Sequence, residues 1–193
     1  MRSEANTLRL FIGCGLQPAD AASVASHLEH ASWPSQWRML EQASWHVTAL
    51  FLGERPASAC DHLFTVVQAC ASSCAPITLQ QGALHSIPEP RPTMRWIRFL
   101  PHPALTSLHH TLADRLGLQP SPFKPYWPHI TLARSPRGGT RALEDEGMLL
   151  LPTLRLTSLS LYRSDVSGTG RIHRPMDTWS FTGTGPADPE VAV

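Results

Sequence analysis

One short pattern occurs twice in this chain. His46-Val47-Thr48 and His129-Ile130-Thr131 are both His-x-Thr, 83 residues apart. Each opens a strand-like run, HVTALFLG from His46 to Gly53 and HITLAR from His129 to Arg134. Side chains alternate across a strand, so each histidine shares a face with its threonine. The apolar residues between and after them (Val47, Ala49 and Phe51; Ile130 and Leu132) are then free to face a core. Two such strands side by side would supply the parts for acid–base chemistry at one phosphorus. One imidazole activates water, the other protonates the leaving oxygen, and two hydroxyls hold the non-bridging oxygens. An imidazole pKa of about 6.5 makes both protonation states accessible near neutral pH. A lone His-x-Thr is an ordinary strand feature; the signal lies in the repetition.

The surroundings of the second copy favour an anionic substrate. Between Arg115 and Leu143 there is no Asp or Glu, while Arg115, Lys124, Arg134, Arg137 and Arg141 are basic. The same lack of carboxylates speaks against a divalent metal there, and no HExxH or Cys/His zinc spacing occurs. No metal is expected there. The other histidines, His27, His30, His62, His85, His102, His109, His110 and His173, are read as surface or packing residues. Of 16 basic residues, 15 are Arg and one is Lys124. Its context, Lys124-Pro125-Tyr126-Trp127, lacks the Lys-x-Asp-Gly pattern of nucleotidyl-transferring ligases, which excludes an ATP-driven covalent lysine route. Most of the arginine excess is compositional, although arginine also suits bidentate phosphate contact.

The elements that must position these residues can be read in outline. At 193 residues, 42% hydrophobic, 16% charged and with net charge +1, the chain fits one domain with a packed interior. It excludes a highly basic coat protein. Strand-like segments fall at Thr7–Cys14, His46–Gly53, Ile77–Ile87, Met94–Leu100, His129–Arg134, Leu154–Tyr162 and Ile172–Phe181. Helical patterns fall at Pro18–Ala31, Ala57–Ser73 and Pro103–Leu116. Pro88–Pro92 and the connection holding Pro120, Pro122, Pro125 and Pro128 are proline-stiffened loops. Helices interspersed with hairpin-like strands predict an α+β fold. Residues 1–182 are expected to form a single domain, and 183–193 a flexible tail. The N-terminus has no apolar h-region and no apolar run approaches the roughly 18 residues of a membrane span. Cys14, Cys60, Cys70 and Cys74 match no zinc or redox spacing and read as free thiols. A cytoplasmic monomer is expected.

Trp45-His-Val-Thr-Ala-Leu-Phe-Leu-Gly53 and Pro128-His-Ile-Thr-Leu-Ala-Arg134 resemble the paired motifs of the 2H phosphoesterase superfamily. The nearest likeness is to RNA 2′,3′-cyclic phosphodiesterases, also called 2′-5′ RNA ligases. Leu8-Arg-Leu-Phe-Ile12 through Leu16-Gln-Pro18 is similar to that group's first strand, and Leu159-Ser-Leu-Tyr-Arg-Ser164 with Trp179 to its C-terminal strands. The resemblance implies a bilobal fold, two pseudo-symmetric antiparallel sheets with flanking helices around a central cleft. It implies hydrolysis of RNA 2′,3′-cyclic phosphate ends, or of small cyclic nucleotides, to a 2′-phosphate, with no metal or nucleotide cofactor. His46 would be the general acid, His129 the general base, and Thr48, Thr131 and Arg134 the phosphate ligands.

Two departures from the family pattern bear on the site. Ala49 stands where a leucine is commoner, and Tyr126-Trp127 add bulk before the second motif that could stack a base at the cleft mouth. Arg134 poses a geometric condition. Five residues past His129, it points to the opposite face of a regular strand, and reaches the cleft only if the strand ends or bulges near Ala133. Alternatives from the same residues are a nucleotide-binding module without turnover, 2′-5′ RNA ligation as the reverse reaction, or another cyclic-nucleotide specificity.

Overall fold

The computed structural model describes residues 6–29, 31, 37–88, 91–119, 125–135, 148–168 and 170–184. Lys124, Pro120, Pro122, Arg137, Arg141, His30, part of the Pro88–Pro92 loop and most of the expected tail lie outside them.

The strands are β1 (Thr7–Gly15), β2 (Arg38–Met39), β3 (His46–Pro56), β4 (Ile77–Ile87), β5 (Met94–Phe99), β6 (His129–Arg134), β7 (Met148–Leu156), β8 (Ser158–Ser167) and β9 (Gly170–Ser180). The helices are α1 (Pro18–His27), α2 (Cys60–Ser73) and α3 (Pro103–Arg115). α1 starts on Pro18, where the missing N–H costs nothing, and ends at His27, short of the Ala31 that periodicity predicts. Every strand pairing described is antiparallel, in the order β7-β4-β5-β6-β3-β1-β8-β9, with β2 beside β6.

The α+β architecture agrees with expectation, and its two halves are pseudo-symmetric. Outward from the middle, β6-β5-β4-β7 mirrors β3-β1-β8-β9. The halves are one continuous sheet, joined where Val47 of β3 stands opposite Ile130 of β6. Both residues are fully buried. On the same face as these two, Leu10, Ile12, Leu84, Ile97, Leu154 and Leu161 build the core, against which the helices bury Val24, Val67, Leu105 and Leu112. The opposite face is left for the site.

One expected strand is two. Leu154–Tyr162 divides at Thr157: β7 pairs with β4 in one half, and β8 pairs with β1 in the other. The buried leucines explain the break. Leu154 and Leu156 keep a two-residue period, but the next buried pair, Leu159 and Leu161, is out of phase. The Thr157 carbonyl accepts the Phe181 N–H at 2.8 Å at this crossing. The expected tail is also anchored at its first residue, since the Gly183 N–H donates to the Cys74 carbonyl at 3.0 Å. Among the described residues no helix is long and apolar enough to cross a membrane. All four cysteines are free, and burial pushes each thiol above its ordinary range.

Candidate active site

The junction sets the geometry of the two motifs. With Val47 opposite Ile130, extending the antiparallel register by one residue each way puts His46 opposite Thr131 and Thr48 opposite His129. Because the central valine and isoleucine point into the core, both histidines and both threonines point the other way. Each imidazole thus faces the other motif's hydroxyl across the seam.

A bulge follows each motif at the same place. On β6, Thr131 pairs with Trp96 but Ala133 with Arg95, so Leu132 is one residue extra. On β3, Thr48 pairs with Gly13 but Leu50 with Ile12, so Ala49 is extra. A bulge reverses the alternation beyond it. His129, Thr131 and Arg134 therefore share one face, opposite Arg98, Trp96 and Met94 of the regular strand β5. The geometric condition on Arg134 is met. By the same device His46, Thr48 and Phe51 share one face, opposite Gly15, Gly13 and Phe11. This corrects the expectation that Phe51 faces the core. It is 67% exposed and occupies the position in the first half that Arg134 holds in the second.

Both imidazoles are oriented alike. His46 Nδ1 lies 2.7 Å from the Ser44 carbonyl, and His129 Nδ1 lies 2.9 Å from the Trp127 carbonyl. A carbonyl can only accept, so each Nδ1 carries the proton and each neutral ring presents the lone pair of Nε2. Their walls differ. His46 packs on Phe11 at 4.9 Å and Tyr162 at 5.4 Å, and those two rings stack on each other at 4.8 Å. Gly13 lets β1 approach β3 closely, since a Cβ there would lie 2.9 Å from the Val47 carbonyl oxygen. His129 instead lies flat on Trp96, with ring centroids 3.7 Å apart.

Burial pushes the His46 imidazole down to about 4; the Ser44 carbonyl opposes the shift, and the positive charges of His173, His129 and Arg134 add to it. Burial likewise lowers His129, against the Trp127 carbonyl, and it lowers Arg134, with Arg171 acting the same way. An anion placed on the seam would offset these shifts by favouring the charged imidazoles. Among the described residues no group of three His, Cys, Asp or Glu is close enough to hold a metal ion.

The remaining candidates sort by their partners. Trp127 is 36% exposed, and the Arg98 guanidinium lies 3.4 Å over its ring. Tyr126 is turned inward: its hydroxyl donates to the Thr48 carbonyl at 3.0 Å and its ring stacks on His109 at 4.6 Å. That geometry braces the first motif rather than offering a free ring face. His109 in turn bonds the Ala49 carbonyl at 2.7 Å, at the bulge itself. His173, expected only at the surface or in packing, has its ring edge-on to His46 at 5.5 Å. Two strands separate β9 from β3, so only the concavity of the sheet brings these rings together, and no spacing signal in the sequence marks it.

A concave antiparallel sheet of two mirrored halves, each contributing a His-x-Thr strand to the seam, is the construction of a 2H phosphoesterase. The crystal structure of TT0787 from Thermus thermophilus matches 92% of this chain and 100% of that one, at TM-score 0.76 and 22% identity. E. coli LigT complexed with NADP+ matches 92% and 99% at TM-score 0.71 and 21% identity. LigT complexed with 3′-AMP matches the same shares at TM-score 0.70 and 23% identity. No match to the chain is found among curated proteins. The family model described as the 2′-5′ RNA ligase superfamily matches residues 16–168, most of the chain, and the protein belongs to that superfamily.

Proposed function

We propose that the protein hydrolyses an RNA 2′,3′-cyclic phosphate to a 2′-phosphate by two-histidine acid–base catalysis, with no metal or nucleotide cofactor. The observation that carries this reading is the seam. His46 and His129 stand on one face, each with Nδ1 committed to a carbonyl and Nε2 left for substrate. Water attacks phosphorus as its proton passes to His129 Nε2. The P–O3′ bond breaks, and O3′ takes the proton carried on His46 Nε2. Thr48, Thr131 and Arg134 hold the non-bridging oxygens. Burial holds His46 largely neutral at pH 7. An entering phosphodiester, negatively charged and close, raises its proton affinity, so the acid is charged by its own substrate.

Phe51 is proposed as a platform for the base, because it is exposed on the face that carries His46. Trp127 offers a second aromatic surface at the mouth. That LigT has been crystallised with NADP+, ATP, 3′-AMP and phosphate accords with a nucleotide phosphate as ligand. Ligation of 2′-5′ linked RNA, which the superfamily's description favours, is the reverse of the same step and uses the same residues.

The test is RNA ending in a 2′,3′-cyclic phosphate, incubated in chelator, with the product analysed for 2′- against 3′-phosphate. The 2′-phosphate is expected. A 3′-phosphate product, or activity that vanishes in chelator, would overturn the mechanism.

A further inference from the structure

The concave face carries more positive charge than a single phosphodiester requires. His173 of β9 stands opposite Ser164 of β8, on the face shared with Tyr162, Phe11 and His46. Its ring is edge-on to both His46 (5.5 Å, 82°) and Phe11 (5.1 Å, 87°). Two buried polar atoms at this point, His173 Nδ1 and Ser164 Oγ, have no hydrogen-bond partner among the described residues. Ser164 is only 8% exposed. Leaving such atoms unpaired is costly, and a ligand oxygen would remove the cost once either side chain turned to meet it.

Arg171 lies two residues further along β9 on the same face, opposite Val166, and is exposed. Two residues of strand span roughly 6–7 Å, which sets Arg171 apart from a phosphorus held at His46. Arg171 and Arg134 feel each other's charge, and His173 feels both. The carboxylates of this hairpin do not answer them. Asp165 and Asp177 stand in register with Ile172 and Leu161 on the other face, and Asp165 is paired with Arg163 at 2.8 Å. One phosphodiester brings one negative charge, which Arg134 alone already matches. Arg171 is left over, and beside it His173 and Ser164 carry the unpartnered Nδ1 and Oγ.

We propose that Arg171, His173 and Ser164 form a second anion subsite, which takes a phosphate that the substrate carries in addition to the one under attack. The proposal rests on the reading of the seam given above. Either the next phosphodiester of an RNA strand or the 5′-phosphate of a mononucleotide has the required chemistry.

Three substrates separate these sources: a 2′,3′-cyclic mononucleotide with a free 5′-hydroxyl, the same with a 5′-phosphate, and a dinucleotide ending in a cyclic phosphate. At least one phosphate-bearing substrate is expected to show about tenfold higher kcat/KM than the 5′-hydroxyl compound. Arg171→Gln, at an exposed position, should bring that ratio to about one. Equal kcat/KM for all three in the wild type overturns the subsite, as does a ratio that Arg171→Gln leaves unchanged. If none is turned over, the reading of the seam fails, and the subsite is decided by binding alone. Adenosine 3′,5′-bisphosphate should then bind about tenfold tighter than 3′-AMP and shift the His173 ring signals in NMR. Equal binding, or an unmoved His173, overturns it.

Discussion

The two halves of the sheet use one backbone device to opposite chemical ends. Each begins at a His-x-Thr, ties Nδ1 to a carbonyl two residues back, and bulges one residue after the threonine. What the bulge delivers differs: an exposed phenyl ring, Phe51, in the first half and a guanidinium, Arg134, in the second. The walls differ as well. His46 sits among Phe11, Tyr162 and His173, with two glycines for neighbours, whereas His129 lies on Trp96 beside Arg98. Duplicated backbone geometry brings the two imidazoles to one face of the sheet, and burial lowers the proton affinity of both.

The sharpest way to break this comparison is to remove each imidazole in turn. His46→Ala and His129→Ala should each lower kcat by about 10²–10⁴-fold, with thermal unfolding showing that both variants remain folded. Near-normal turnover in either would mean the halves do not act on one phosphorus.

A smaller effect tests the different burial of the first half. The folded-state pKa of His46 is about 4, below the unfolded value of about 6.5. Below pH 6.5 the unfolded chain takes up a proton that the folded one refuses until near pH 4. Stability from this group is therefore full above pH 6.5 and falls by up to about 3 kcal/mol as pH drops to 4. Denaturant unfolding across that window should show the loss, and His46→Gln should reduce it, leaving the share of His129 and His173, which burial also lowers.

Next in size is the residue delivered by each bulge. Phe51→Ala should raise KM for a cyclic nucleotide by about 5–100-fold, from loss of stacking worth roughly 1–3 kcal/mol. It should leave a base-free cyclic ribose phosphate unaffected. Arg134→Gln should weaken both substrates alike, because its proposed contact is with phosphate and not with the base. If both variants discriminate by base, the halves are not divided between base and phosphate.

The smallest expected effect concerns room rather than chemistry. Gly13→Ala places a Cβ 2.9 Å from the Val47 carbonyl oxygen, so β1 and β3 must shift apart. A cost of about 1–3 kcal/mol in stability is expected, read from the urea midpoint. Trp96→Ala would test the other wall, but Gly13 tests the seam itself.

Much of the site was legible because period-two alternation is local. The strand His129–Arg134 has the bounds its pattern predicts, and each histidine lies with its threonine as spacing requires. Arg134 and Phe51 mark where that reasoning stops. Their faces depend on one extra residue in a ladder, and a bulge is defined by the partner strand rather than by its own sequence. For Arg134 the parity argument at least named the condition. For Phe51 it gave the wrong side. The division of Leu154–Tyr162 was readable in principle, since Leu156 and Leu159 break the alternation. Tyr126 drew attention as an aromatic near the motif, but the carbonyl of Thr48 that holds it is distant in the chain.

By itself, the sequence determined the chemistry available: two imidazoles and two hydroxyls in matching strands, the second of them in a stretch free of carboxylates, with no lysine suited to covalent ligation. These follow from residue type and short spacing. Only the tertiary structure decided that the two strands meet at Val47 and Ile130, that matching bulges turn Phe51 and Arg134 to the same face, and that His173 arrives from two strands away. Each of those depends on register between distant segments and on the concavity of the sheet. Buried apolar faces fix both, and a local pattern does not encode them.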